Sequence, residues 1–137
     1  MSAKPTTLLA FDFGLSRIGV ATGQTVTRTA TALSTVRARR GAPDWREIDA
    51  LVRDWQPDLM LVGLPLNMDS TASEMSERAR SFADALAERY ATAVEMVDER
   101  LTSFEARGLS PAEDERHAIA ARLIAETFLR GELSGGT

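Results

Sequence analysis

The stretch TLLAFDFGLSRIGVATGQ, residues 7–24, decides how the rest of the chain is read. TLLAFDFG (7–14) is apolar and aromatic and ends in glycine, the form of a buried strand. IGVATGQ (18–24) follows a tight turn and reads as a second strand. TRTATALSTVRA (27–38), with Thr and Val in rough alternation, reads as a third. The short connections between them make an antiparallel meander. Asp12 lies inside the first strand between Phe11 and Phe13, and Arg17 follows the turn. A carboxylate in an apolar strand costs several kcal/mol unless it is paired or holds a metal. The plainer alternative is a turn-forming aspartate before Gly14. The glycines of this turn could also bring backbone N–H groups onto a phosphate, but neither a Walker A loop nor GxGxxG is present.

Beyond the meander the hydrophobic period changes. Asp44-Trp-Arg-Glu47 forms a capping box after Pro43, and Trp45, Ile48, Leu51, Val52 and Trp55 follow at helical spacing, the spacing of core residues. LMLVGLP (59–65) is a short apolar run of the kind found in buried parallel strands. Thr71…Glu74 reads as a second capping box, opening a helix with apolar positions Ala72, Met75, Ala79, Phe82, Leu86 and Tyr90. TAVEMVDE (92–99) is the fifth strand, with Val94, Met96 and Asp98 on one face. Thr102…Glu105 caps a short helix that stops at Gly108. Ser110-Pro-Ala-Glu113 opens a last helix expected to run to about Leu129, and GELSGGT is a fraying tail. The order implies an α/β fold: a mixed five-stranded sheet, three antiparallel strands then parallel αβ units, with helices on both faces. One domain over 1–137 with a core at about 7–130 is the expectation.

Bulk properties narrow the class. An apolar content of 44% is that of a globular protein. Cysteine is absent, which excludes disulfides and thiolate metal sites. No apolar run is long enough to span a membrane, and the start lacks a signal-peptide core, so a soluble cytoplasmic protein is expected. Net charge is −4, but it is uneven: residues 1–46 carry seven basic and two acidic residues, and 47–137 carry nine and eighteen. A basic end on an acidic body can meet a phosphate backbone locally; a solvated surface with uneven charge is the bland reading.

The other candidate residues follow from position. Asp98 and Glu99 end the fifth strand, and because adjacent strand residues face opposite sides, only one of them can join Asp12. Two carboxylates about 4 Å apart repel by roughly 4 kcal/mol at an effective dielectric near 20, so clustered acids imply a divalent cation. Arg37, Arg39 and Arg40 end the third strand, with 37 and 39 on one face; they read as phosphate contacts or as charges that protect a sheet edge. Asp-Glu-Arg occurs twice, at 98–100 and 114–116, in different local patterns, and the second copy runs into His117, the sole histidine.

Three motifs occur in order: Asp12-Phe-Gly-Leu-Ser-Arg17-Ile-Gly-Val-Ala21, Val62-Gly-Leu-Pro-Leu-Asn67-Met-Asp69, and Val97-Asp-Glu-Arg-Leu-Thr-Ser103 with Glu105-Ala106. Together, over about residues 7–131, they closely resemble the YqgF/RuvX family, formerly described as Holliday-junction resolvases. The resemblance implies an RNase H-like fold similar to RuvC-type nucleases. It also implies a nuclease that trims the 5′ end of the 16S rRNA precursor in ribosome maturation, or acts on branched DNA. Such enzymes gather carboxylates around two divalent ions, Mg²⁺ or Mn²⁺. By resemblance Asp12 is the first acid and Glu99 the second, with Asp98 as an alternative ligand. Arg17 and Arg100 would contact phosphate or orient the acids, and Asn67, Arg37, Arg39 and Arg40 would add nucleic-acid contacts. The family's third acid opens a small-residue run on the last helix, where this chain has His117-Ala-Ile-Ala-Ala. Either the metal site is altered, since imidazole suits Mn²⁺ better than Mg²⁺, or His117 acts as a base or phosphate contact, or activity is impaired and the protein only binds nucleic acid. Asp114 and Glu113 lie on the same helical face as His117, and Asp114 could replace the missing acid.

Overall fold

A computed structural model of the chain describes residues 6–65, 73–98 and 116–134. The elements run β1 (Thr7–Asp12), β2 (Arg17–Gln24), β3 (Thr29–Arg39), β4 (Ala42–Pro43), α1 (Trp45–Trp55), β5 (Leu59–Leu64), α2 (Glu74–Tyr90), β6 (Ala93–Asp98) and α3 (Arg116–Ser134). The sheet has six strands in the order β4-β3-β2-β1-β5-β6, one more than expected. The extra strand, β4, has two residues, too short to show any period. It pairs Arg39 with Ala42 across a two-residue turn at Arg40-Gly41. Both turn residues have positive φ, 51° and 86°, as a tight hairpin of primed type needs.

β1 is central, antiparallel to β2 and parallel to β5. Leu8, Leu9, Ala10 and Phe11 are all fully buried, because β1 is covered on both faces and has no solvent side to alternate with. Its two parities enter different cores. Leu9 and Phe11 pack with Ile18, Val20, Val36, Ile48 and Phe82 beneath α1 and α2. Leu8 and Ala10 pack with Leu61, Val97, Ile124, Ala125 and Leu129 beneath α3. Helices thus cover both faces, as expected.

The caps differ in detail from the sequence expectation. Asp44 caps α1 by accepting from the N–H of Arg46 at 3.1 Å. Glu47 does not close a box with it; its carboxylate accepts from the N–H of Arg37 at 2.9 Å and so ties α1 to β3. The box on α2 is Ser73 with Ser76 rather than Thr71 with Glu74. Ser76 is fully buried, and a hydroxyl can be satisfied inside the box there, where a carboxylate would lose its water. Thr71 and Ala72 lie outside the described residues, as does the helix expected over 102–108. Trp45 packs against the core, but Trp55, expected there too, is 38% exposed at the last turn of α1. α3 continues past Leu129 to Ser134, into the segment expected to fray.

Candidate active site

The parallel strands β1, β5 and β6 end at one edge of the sheet, where the carboxyl ends of strands leave a natural crevice. Asp12 is the last residue of β1. Its parity is that of Leu8 and Ala10, so it belongs to the α3 face. There His117, in the first turn of α3, meets it: Nδ1 stands 2.9 Å from Oδ2 of Asp12. An ionised carboxylate can only accept, so the imidazole Nδ1–H donates. That fixes Nε2 as the free nitrogen of the neutral ring. The Asp12 side chain is 14% exposed and that of His117 38%, so the carboxylate is sunk in the crevice and the ring forms its rim.

Glycines make this approach possible. Gly19 lies opposite Asp12 in the β1–β2 ladder. A Cβ there would stand 1.8 Å from the carbonyl oxygen of His117, so only glycine lets the start of α3 rest on β2. At Gly14 a Cβ would lie 2.5 Å from the carbonyl oxygen of Arg17 and 3.1 Å from Cε1 of His117. Two residues on from Ala21, Gly23 faces Ala125. The small side chain of Ala125 on the helix therefore seats on a glycine of β2.

The hydrogen bond to Asp12 raises the pKa of His117 above its ordinary 6.5. Partial burial opposes the charged form, the Asp12 charge favours it, and the positive charges of Arg17 and Arg116 oppose it. The pair therefore has two states. Protonated, His117 is a charged donor beside a carboxylate. Neutral, its Nε2 presents a lone pair to a cation or a proton.

Of the other residues singled out in the sequence, Arg17, Arg37, Arg39 and Arg40 are all exposed, and Arg17 and Arg37 are direct cross-strand neighbours. Asp98 ends β6 opposite Leu64, with β5 between it and β1. Strand alternation gives it the side of Val94 and Met96, which pack beneath α1 and α2, whereas Val97 shares the side of Asp12. Glu99, Arg100, Asn67 and Asp114 lie outside the described residues. Among the described residues no three acids or imidazoles gather closely enough to hold a metal. Asp12 and His117 are an oxygen and a nitrogen donor, a fit to part of a divalent site and one that suits Mn²⁺ better than Mg²⁺.

Sequence reasoning missed two features. Arg116 acts on His117, and its only signal was its adjacency. On the opposite face, Asp49 of α1 accepts two hydrogen bonds from Arg89 at 2.9 Å and one from Tyr90 at 2.6 Å. Arg89 also lies over the Trp45 ring, 4.9 Å from its centroid. This cluster locks α1 to the end of α2. Beside it a groove of about 550 Å³ runs along Phe13, Trp45, Arg78 and Phe82.

Comparison with known proteins agrees with this geometry. Residues 6–131 match the family described as RuvX: Holliday junction resolvase. A relative from Marinobacter nauticus is 55% identical over 131 residues, covering 90% of this chain and 92% of its own. One from Azotobacter vinelandii is 47% identical and covers 96% and 98%. Both carry the provisional name of pre-16S rRNA nuclease. Among solved structures, Thermus thermophilus RuvC in complex with a Holliday junction substrate superposes with a TM-score of 0.61 at 13% identity, covering 95% of this chain and 96% of that one. The expected RuvC-like, RNase H-like fold is thereby borne out. No helix among the described residues is long and apolar enough to cross a membrane.

Proposed function

The chain belongs to the RuvX family, and on that premise we propose that it is a metal-dependent phosphodiester hydrolase that trims the 5′ end of pre-16S rRNA in the cytoplasm. The observation that carries the reading is the Asp12–His117 pair at the open edge of the sheet, with Arg17 close enough to act on the imidazole. Asp12 and Glu99 are assigned as the acids that hold Mg²⁺ or Mn²⁺. Glu99 is assigned by the resemblance, and Asp98, the alternative, ends β6 on the side of Val94 and Met96, away from Asp12. Asp114 is the further candidate ligand. A bound divalent ion would supply an activated water and neutralise charge on the leaving oxygen. The chain's own residues do the rest. His117 holds the Asp12 carboxylate in one orientation through Nδ1, and its Nε2 is the nitrogen free to take or give a proton. Arg17, with Arg37, Arg39, Arg100 and Asn67, is assigned to the nucleic acid, and Arg40, in the β3–β4 turn, is assigned to the hairpin.

A second reading has its own support. His117 occupies one oxygen of Asp12, at the position where the resemblance leads one to expect an acid. A protein that binds nucleic acid without cutting it would look the same at this pair. The family's description adds a third reading, cleavage of a Holliday junction.

The test is cleavage of a pre-16S 5′-leader RNA and of a four-way DNA junction, each with Mg²⁺ and with Mn²⁺, by the wild type, Asp12→Asn and His117→Asp. The proposal expects RNA cleavage by the wild type, favoured by Mn²⁺, and none by Asp12→Asn. Salt-sensitive binding with no turnover, and turnover gained in His117→Asp, would establish the second reading instead. Cleavage of the junction alone would establish the third.

A further inference from the structure

The β2–β3 ladder has an irregularity that changes which side of the sheet its arginines occupy. Ala21 pairs with Ala32 and Gly23 with Ala30, whereas Val20 pairs with Ser34, Gly19 with Thr35 and Arg17 with Arg37. Leu33 is the extra residue of a β-bulge. Directly paired residues share a face. Ala30 and Ala32 therefore lie with Ala21 and Gly23 on the α3 side, and Ala30 packs in that core. In an unbroken ladder the even residues of β3 would stay on that side, and Arg37 and Arg39 would point to the α1/α2 side. The bulge reverses the parity. Val36 and Ala38 pack beneath α1 and α2, and Arg37 and Arg39 share the face of Gly19, Asp12 and His117.

We infer that the Leu33 bulge builds a phosphate rail, Arg17–Arg37–Arg39, that leads a single nucleic-acid strand to the Asp12–His117 edge. The inference rests on the nuclease reading for its ligand. Arg17 lies one strand over from Asp12 and two residues further along, so the Cα separation is about 8 Å by ordinary strand spacings. Arg37 is one strand further, about 5 Å on, and Arg39 about 7 Å along the same strand. The three guanidinium groups are exposed, and among the described residues none makes an ion pair. Like charges directly opposite in a ladder destabilise it. Arg17 against Arg37 is such a pair, relieved when an anion sits between them. Guanidinium groups bind phosphate through paired N–H donors. Arg40 is not part of the rail: it occupies the hairpin turn, in left-handed conformation, and its carbonyl accepts from Arg78 at 3.4 Å. Arg28, at the far end of the hairpin, is also exposed and off the rail.

The test is the salt dependence of binding to a short labelled single-stranded RNA, and to DNA of the same sequence, with EDTA present to stop cleavage. Each lost phosphate contact lowers the slope of log K against log salt by about 0.7 on a single strand. The double variant R37Q/R39Q is expected to lower it by about 1.4, and R40Q and R28Q to leave it unchanged. Ser34 is exposed and pairs with Val20, on the α1/α2 side. Adding S34R to R37Q restores net charge on the wrong face and is expected to restore no slope. A slope untouched by R37Q/R39Q, lowered as much by R40Q, or recovered by S34R overturns the rail. Metal-dependent cleavage by the wild type is measured alongside. A wild type that cleaves while R37Q/R39Q keeps the full slope overturns the rail alone. A wild type that neither binds nor cleaves overturns both readings. A slope equal on RNA and DNA identifies the shared phosphodiester as the ligand, and a steeper slope on RNA identifies RNA; either supports the rail.

Discussion

Two aspartates hold a helix in place in this molecule, one on each side of the sheet. Asp49, on the α1/α2 side, accepts from both the Arg89 guanidinium and the Tyr90 hydroxyl. Arg89 stays protonated at any physiological pH. The hydrogen bonds from Arg89 and then Tyr90 pull the Asp49 carboxyl from 3.8 down to about 2. Partial burial, and then the hydrogen bond to Asp49, hold the Tyr90 hydroxyl above its ordinary range. Asp12, on the α3 side, has a single described partner, an imidazole whose pKa their hydrogen bond raises above its ordinary 6.5. A carboxylate saturated by a permanent cation is a staple, because nothing is left to give or take. One held by a single imidazole at the open end of a sheet can still bind, orient and exchange a proton. The surroundings differ in the same sense. The staple borders an aromatic core in which Phe82 touches Phe11, Phe13 and Trp45. The pair at the edge stands on glycine.

Activity should separate the two most widely. Asp12→Asn is expected to lose at least about 100-fold in metal-dependent RNA cleavage while Asp49→Asn keeps the wild-type rate at a temperature where both are folded. Equal losses in steady-state assays would erase the distinction. Phe82→Ala strikes the stapled side at its centre. Phe82 is 4% exposed, and removing a buried phenyl ring costs about 3–5 kcal/mol. Denaturant melts should show that loss, with cleavage retained at low temperature. Gly19→Ala strikes the other side. Its Cβ would enter the His117 carbonyl, so α3 must lift. A cost of about 1–3 kcal/mol is expected, and here cleavage falls with it, because the lifted turn carries His117. Retention of full activity in Gly19→Ala would show that the seat does not matter to the site.

The smallest effect is in acid. A carboxyl whose folded pKa is depressed adds stability above its unfolded pKa, and loses it as pH falls through the folded value. The Asp49 staple is therefore fully present above about pH 4 and lost on going down to about pH 2. Melts of the wild type should lose more stability across that window than melts of Asp49→Asn. Parallel acid profiles would contradict the staple.

The share of this that was legible in the sequence follows the range of the interactions. Asp12 in an apolar strand, the glycines of β2 and the histidine before a run of alanines are local signals, and the structure brings them to one place. The side of Asp98 was legible too: the alternation puts it with Val94 and Met96, and the structure finds it there. The bulge at Leu33 was not, because it is a property of how two strands register and leaves no mark in β3 alone. Nor was the staple: Tyr90 read as another apolar position on α2, and its partner stands 41 residues earlier on α1. The serine cap of α2 was hidden by a competing pattern at Thr71…Glu74, and Trp55 by sharing the spacing of residues that are buried. Glu99 and Asp114 lie outside the described residues, and they are assigned by the resemblance and by helical spacing from His117.

His117 is the sole histidine of the chain, so a proton NMR titration of its ring reads the pair with no overlap. A folded pKa above 6.5 means that the ion pair is fully formed below 6.5 and is lost as pH rises through the folded value. The measurement that bears most directly on the edge as a working site is that titration in the metal-free wild type, Asp12→Asn and Asp49→Asn. The midpoint should lie above 6.5 in the wild type and in Asp49→Asn. In Asp12→Asn it should fall to 6.5 or below, where Arg17 and Arg116 are left to oppose the charge. A wild-type midpoint at or below 6.5, or one that ignores Asp12→Asn, would contradict the pairing on which the site is built.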